Sequence, residues 1–409
     1  MIEILRKEDC VGCNACVQRC PKTCINMHSD EQGFLYPKVD IDTCINCGLC
    51  NKVCPVINQN EPKIPDKTYA GWNEDETVRK YSSSGGVFFA VAKKIIKEGG
   101  VVFGAKFNDM WEVVHSYTET IEGIKVFQGS KYVQSDIGRS FIDAEIFLRT
   151  GRKVLYSGTP CQIAGLKRFL RKDYGELLIT LDVVCHGTPS PRIWMDYLHN
   201  IKHSYSSIPI EEPFIERISF RDKREGWEKY GISICLTKSK DNHTESHCSP
   251  TSTGKRESEL FERFTDNLYM RGFLKDLYLR PSCYECPAKC GKSHSDITLA
   301  DFWGIGNKYP ELHSDKGVSL ILANTSTGEA LLSELPIEIH PVKYMDALAG
   351  NPAIESSAIK PNLYNLFWYE YRKVGLPAIH NTILLMRPSI FIRGYRKIRY
   401  LLGRMLKHN

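Results

Sequence analysis

No stretch of this 409-residue chain strings together the roughly 18 apolar residues that a membrane-crossing helix needs. The nearest candidate, VFFAVAKKII, is interrupted by two lysines. The opening MIEILRKED carries no apolar leader, so the expected setting is a reducing cytoplasm where disulfides do not persist. Charge of one sign is scarce as well. Lysine and arginine number 54 against 48 acidic residues, and a net charge of +6 does not point to nucleic acid. A C-x3-C-x2-C run is missing throughout, which disfavours radical-SAM chemistry. What remains is a globular composition, 42% hydrophobic and 25% charged, long enough for two or three units. Its one excess is cysteine: sixteen residues, which in a reducing compartment point to metal ligation.

Eight of them repeat one arithmetic. Cys10-x2-Cys13-x2-Cys16-x3-Cys20-Pro21 recurs as Cys44-x2-Cys47-x2-Cys50-x3-Cys54-Pro55. This run holds two [4Fe–4S] clusters whose fourth ligands cross over. Cys10, Cys13, Cys16 and Cys54 are therefore expected on one cluster, and Cys44, Cys47, Cys50 and Cys20 on the other. Zinc ribbons favour two well-separated C-x2-C pairs, whereas here a third and fourth cysteine follow at once. Two clusters imply electrons passing one at a time. Cys24 stands outside the count and reads as a buried bystander.

The chain divides into residues 1–57, a ferredoxin-type module whose halves are joined by the hairpin-like GFLYPKVDID; a polar, proline-bearing linker over 58–68; and a longer α/β pattern over 69–350. Residues 203–260, with Cys235 and Cys248, read as an insert, either a small β-rich lid or a solvated excursion. Ser82-Ser83-Ser84-Gly85-Gly86 precedes the helical VFFAVAKKIIKE, as an ordinary N-cap or as an anion site.

Residues 151–201 read as a βαβ unit. KVLYS is a strand, Thr159 and Pro160 start a helix that contains Cys161, and LLITLDVV leads to Cys185 and His186. Both cysteines then lie beyond the carboxyl ends of parallel strands, where α/β sheets bind ligands. The helix dipole is expected to lower the Cys161 pKa. Cys283-x2-Cys286-x3-Cys290 supplies a further metal clip. Cys161, Cys185, Cys283 and Cys286 would make four thiolates, with Cys290 a competing fourth ligand. Zinc and a third [4Fe–4S] cluster both suit such a set.

Taken together, the doubled cysteine run, SSSGGVFFA, VFQGSKYVQSDIG, LYSGTPCQIAGLKRFL, VVCHGTPSP, CYECPAKC and SDITLADFWGIG resemble the family of coenzyme F420 hydrogenase/dehydrogenase beta subunits over residues 1 to about 350. The resemblance implies a bacterial ferredoxin-type module followed by a larger α/β flavin-binding domain, an α+β to α/β fold. It implies FAD beside a [4Fe–4S] cluster held by Cys161, Cys185, Cys283 and Cys286; the extra Cys290 departs from the family's short pattern. It also implies flavin or pyrophosphate contacts at Ser83, Ser84, Gly85, Gly86 and Lys131, with Thr159 and His186 beside the cluster. His186 has a second reading, as a strand-end hydrogen-bonding group. The implied activity is an oxidoreductase passing electrons between a ferredoxin-like partner and a small acceptor through three clusters and FAD. The alternative is an electron-transfer subunit that feeds a partner enzyme, as relatives in cell-surface polysaccharide gene sets suggest.

From Lys373 onward acidic residues disappear, while Arg393, Arg396, Lys397, Arg399 and Arg404 accumulate beside Phe391, Tyr395, Ile398, Leu402 and Met405 at helical spacing. This basic tail, within 351–409, suits a helix packed on its own domain or one lying on an anionic membrane.

Overall fold

The computed structural model describes residues 1–205, 213–237 and 258–386. Two strands, β1 (Ile25–Ser29) and β2 (Leu35–Val39), pair antiparallel inside the cysteine-rich segment. Their turn is organised by Asp30, whose carboxylate accepts from the N–H groups of Gln32 and Phe34, and by Gly33 at φ 84°.

The larger unit is built on β3 (Lys67–Asn73), β4 (Val101–Phe107), β5 (Val113–Thr118), β6 (Val154–Gly158) and β7 (Leu178–Val183). Next come β8 (Phe214–Asp222), β9 (Gly231–Thr237) and β10 (Ser258–Arg263), a separate three-stranded antiparallel sheet. Then β11 (Ile297–Asp301), β12 (Ser319–Ala323) and β13 (Ile337–Pro341) complete an eight-stranded sheet in the order β13-β3-β12-β11-β7-β6-β4-β5. Its central strands β4, β6, β7 and β11 run parallel. Those strands are buried on both faces, which is why they read as near-continuous apolar runs.

Alternation sends Val102, Leu155 and Ile179 to one face, against the helix Val87–Lys97 and its buried Val87, Val91 and Ile95. Val101, Phe103, Val154 and Tyr156 point to the other, against the helices Ser140–Arg149 and Pro160–Leu170. Each such aliphatic side chain removed from water contributes roughly 1.5–3 kcal/mol. The second core does not stop at the larger unit: Val11, Cys13, Ala15 and Val53 of the cysteine-rich module belong to it.

Polar contacts tie the same seam. The Gln18 Oε1 accepts from the N–H groups of Phe141 and Ile142, capping the first turn of Ser140–Arg149 at 3.1 and 3.2 Å. Asn14 Nδ2 donates to the Gly138 carbonyl, and Arg19 pairs with Glu145. The segment expected as a linker is held as well. Lys63 N–H donates to the Cys290 carbonyl, Asp66 N–H to that of Ala323, and Asn60 Oδ1 accepts from Arg168.

The helices Tyr364–Val374 and Pro377–Leu385 pack into a third core with Trp194, Tyr269 and Tyr278. Residues 387–409, the basic amphipathic stretch, and Cys248 lie outside the described residues.

Candidate functional site

The cysteine repeat is also a backbone repeat. Asn14 and Gly48 hold left-handed φ values of 64° and 71° at the starts of the short helices Ala15–Gln18 and Leu49–Lys52, turning each run of thiols inward. Cys20, Cys44, Cys47 and Cys50 line one pocket with Met1, Pro21 and Ile25. The Ile2 N–H donates to Cys50 Sγ at 3.1 Å and the Asn46 N–H to Cys44 Sγ at 3.4 Å. Four converging thiols with N–H donors suit an anionic, thiolate-held cluster.

Cys10, Cys13, Cys16 and Cys54 crowd together in the same way. Burial first, then the other thiols, raises Cys13 well above the usual thiol value and Cys16 to about 12. Cys24 is 5% exposed but lines the first cavity and lies 3.4 Å from Cys20 Sγ, so it is no distant bystander. Among the described residues, no three His, Cys, Asp or Glu side chains close around a single metal ion.

A further set of thiols forms at the carboxyl ends of the parallel strands. Cys161 comes from the helix following β6, Cys185 from the loop after β7, and Cys283 and Cys286 from the turn Pro281–Glu285 and its exit. Burial raises Cys161 to about 12, with Cys286 and Cys283 adding to it. This corrects the expectation of a lowered value at a helix N-terminus: desolvation and neighbouring thiols outweigh the helix dipole. Cys185 is raised by burial and then by Cys283, with Lys289 opposing. Cys290 is adjacent to Cys286. Its backbone is left-handed at φ 57°, and its thiol donates to the Glu355 carbonyl at 3.5 Å.

Two buried cations frame this set. Lys289 donates to the carbonyls of Cys185 and Ala353, each at 2.6 Å. Arg280, 1% exposed, donates to the Cys10 carbonyl at 2.7 Å, Gln134 Oε1 at 3.0 Å and the Leu35 carbonyl at 2.9 Å. Sequence reasoning missed both, although each directly precedes part of the cysteine segment: Arg280 before Pro281-Ser282-Cys283, and Lys289 before Cys290.

The expected flavin contacts fall in two places. Ser83 Oγ accepts from the Ser130 N–H at 2.7 Å, Ser84 Oγ donates to the Val318 carbonyl, and the Gly85 N–H donates to Ser319 Oγ. Gly85 has no room for a side chain: a Cβ there would stand 2.5 Å from the Gly71 carbonyl. Gly86 is left-handed and precedes Val87–Lys97. These hydroxyls are thus engaged by the protein itself. Two amines lie nearby: among the described residues Lys131 donates to the Gln128 and Gly129 carbonyls, and Lys223 to those of Arg79, Ser84 and Lys316. Burial lowers both amines to about 7, Arg221 contributing at Lys223.

Arg221, 4% exposed, holds Asp301 in a two-pronged pair, and among the described residues its Nε has no hydrogen-bond partner. Lone amines and an orphaned guanidinium nitrogen fit an anionic ligand. Lys223 and Arg221 were invisible in the sequence because they reach the loop from β8 and its turn. Thr159 Oγ1 lies 3.2 Å from Cys161 Sγ. His186 Nε2 lies 2.6 Å from Asp276 Oδ1.

Residues 151–340 match the model for the C terminus of the coenzyme F420 hydrogenase/dehydrogenase beta subunit, and residues 9–58 match a 4Fe-4S dicluster domain. Residues 151–340 carry the C-terminal domain of this family of beta subunits. The same chain thus joins a 4Fe-4S dicluster domain to that C-terminal domain.

The F subunit of the F(420)H(2) dehydrogenase of Methanosarcina mazei is 24% identical over 191 residues, 44% of this chain and 53% of that one. Coenzyme F420-dependent sulfite reductase of Methanocaldococcus jannaschii is 28% identical over 240 residues, 57% of this chain and 34% of that one. Ferredoxin 7Fe of Hydrogenibacillus schlegelii is 38% identical over 73 residues, 17% of this chain and 87% of that one. The chain thus spans about half, or a third, of the first two relatives. Among the described residues no helix is long and apolar enough to cross a membrane.

Proposed function

We propose that this chain is an iron–sulfur flavoprotein oxidoreductase, passing electrons between a ferredoxin-like protein and a small acceptor. The observation that carries the reading is the convergence of Cys161, Cys185, Cys283 and Cys286 at the strand ends, one arginine away from Cys10 of the N-terminal set. Those four would hold a third [4Fe–4S] cluster, with Cys290 left aside on its carbonyl. Lys131, Lys223 and Arg221 around the Ser83–Gly86 loop would hold the phosphates of FAD. Bound there, the clusters supply one-electron steps and the flavin stores two electrons.

The protein's own part is to bury the thiols, set cations beside them and keep the module locked to the α/β sheet. Quantifying iron, zinc and flavin in anaerobically purified protein tests this. About twelve irons and one FAD per chain supports it. About eight irons without flavin would favour the second reading, an electron carrier that feeds a partner enzyme. The names of the relatives, one of them part of a dehydrogenase, favour that reading in part.

A further inference from the structure

Arg280 and Lys289 are buried cations without an acidic partner: among the described residues neither has a carboxylate oxygen within 4 Å. Burying a charge without compensation is costly. Backbone carbonyls offset part of the cost for each. Arg280 is further met by Gln134 Oε1 at 3.0 Å and lies 4.4 Å over the Tyr36 ring, and both residues stand beside cysteines of the thiol sets.

Lys289 donates to the carbonyl of Cys185 at 2.6 Å and sits in the chain between Cys286 and Cys290. Arg280 binds the carbonyl of Cys10 through Nε, and its own carbonyl accepts from the Cys283 N–H at 2.8 Å. One residue therefore joins the two sets, its side chain held by Cys10 and its backbone by Cys283. Among the described residues no comparable cation is buried at the cavity of Cys20, Cys44, Cys47 and Cys50: Lys22 and the Met1 ammonium, which line it, are exposed.

We propose that Arg280 and Lys289 are fixed counter-charges that raise the reduction potential of the strand-end iron–sulfur centre above that of the outermost cluster, so that electrons entering through the module collect beside the flavin site. The inference rests on the reading of the strand-end thiols as a third centre. Its physics is simple. Reduction adds one negative charge to a cluster, and a nearby positive charge held away from water favours that state. Arg280 lies toward both the first and the third centre, Lys289 toward the third alone, so they act as positioning charges with separable effects.

The test is an EPR-monitored redox titration of the full, anaerobically purified chain, with iron counted in each sample. Lys289→Gln should shift the third centre's one-electron equilibrium at least tenfold toward the oxidised form, a fall of about 59 mV, and leave the other two unchanged. Arg280→Gln should lower the first and third centres together. Arg280→Lys and Lys289→Arg, which keep the charge, should restore most of the loss.

Smaller shifts in the Gln variants at full iron content overturn the proposal. So does loss of four irons from Lys289→Arg as well as Lys289→Gln, because packing rather than charge would then be the role. Loss from Lys289→Gln alone supports it. A wild-type protein with eight irons and no third signal would instead sink the three-cluster reading itself.

Discussion

Gly165 offers the sharpest test of how the cysteine-rich module is seated. It lies in the helix Pro160–Leu170, and its missing side chain is what lets Cys13 approach. A Cβ added there would stand 2.8 Å from Cys13 Cβ and 3.0 Å from its Sγ. Gly165→Ala therefore has two opposing effects. Helix propensity favours alanine by about 1 kcal/mol. Overpacking a filled core costs about 1–3 kcal/mol, and here the neighbour is a fully packed thiol that cannot yield without moving whatever it ligates. The balance is a destabilisation of about 0–2 kcal/mol.

The loss should concentrate at one cluster. Anaerobic thermal unfolding, monitored by iron–sulfur absorbance and by EPR, should show the Cys10, Cys13, Cys16 and Cys54 centre perturbed or lost first. The Cys20, Cys44, Cys47 and Cys50 centre should be unchanged. A variant that is more stable by the full helix-propensity gain, with both signals as in the wild type, would refute the seating described here.

Three further expectations follow from the geometry. Cys286→Ser should remove about four irons while Cys290→Ser keeps them, and the reverse result in iron analysis would exchange their roles. Asp182 is buried beneath the strand-end loops and accepts from Thr298 at 2.6 Å. Burial raises its pKa to about 6 from the ordinary 3.8, so the folded state holds its proton more tightly than the unfolded state does. Stability is then lost as pH rises from about 4 through 6, and Asp182→Asn should gain up to about 3 kcal/mol at pH 7 and nothing near pH 4; equal denaturation midpoints at pH 7 would count against it. Finally, an anionic ligand at Lys131 and Lys223 should restore both amines to the charged state. Titration calorimetry of FAD binding in two buffers near pH 8 should therefore reveal proton uptake, and uptake should fall in Lys223→Met.

Much of the architecture was legible beforehand because its signals are local. KVLYS, LLITLDVV and SDITLAD are short apolar runs between turn residues, and they are β6, β7 and β11. Both cysteine repeats carry their geometry in their spacing, down to the left-handed residue before each short helix. The pKa of Cys161 was misjudged for the opposite reason. The helix start is visible in Thr159 and Pro160, but the burial and the neighbouring thiols that dominate come from residues more than 100 positions away.

The amino-acid sequence by itself determined that this chain is built to hold iron–sulfur clusters ahead of an α/β unit with parallel central strands, because ligand spacing and strand periodicity are properties of neighbouring residues. Only the tertiary structure decided that the module shares a core with the sheet, that Cys290 turns to a carbonyl while Cys286 joins the thiols, and that, among the described residues, Arg280, Lys289 and Lys223 are met by carbonyls rather than carboxylates while Arg221 pairs with Asp301. Those are matters of desolvation and long-range approach, and neither is written in the spacing of residues along a chain.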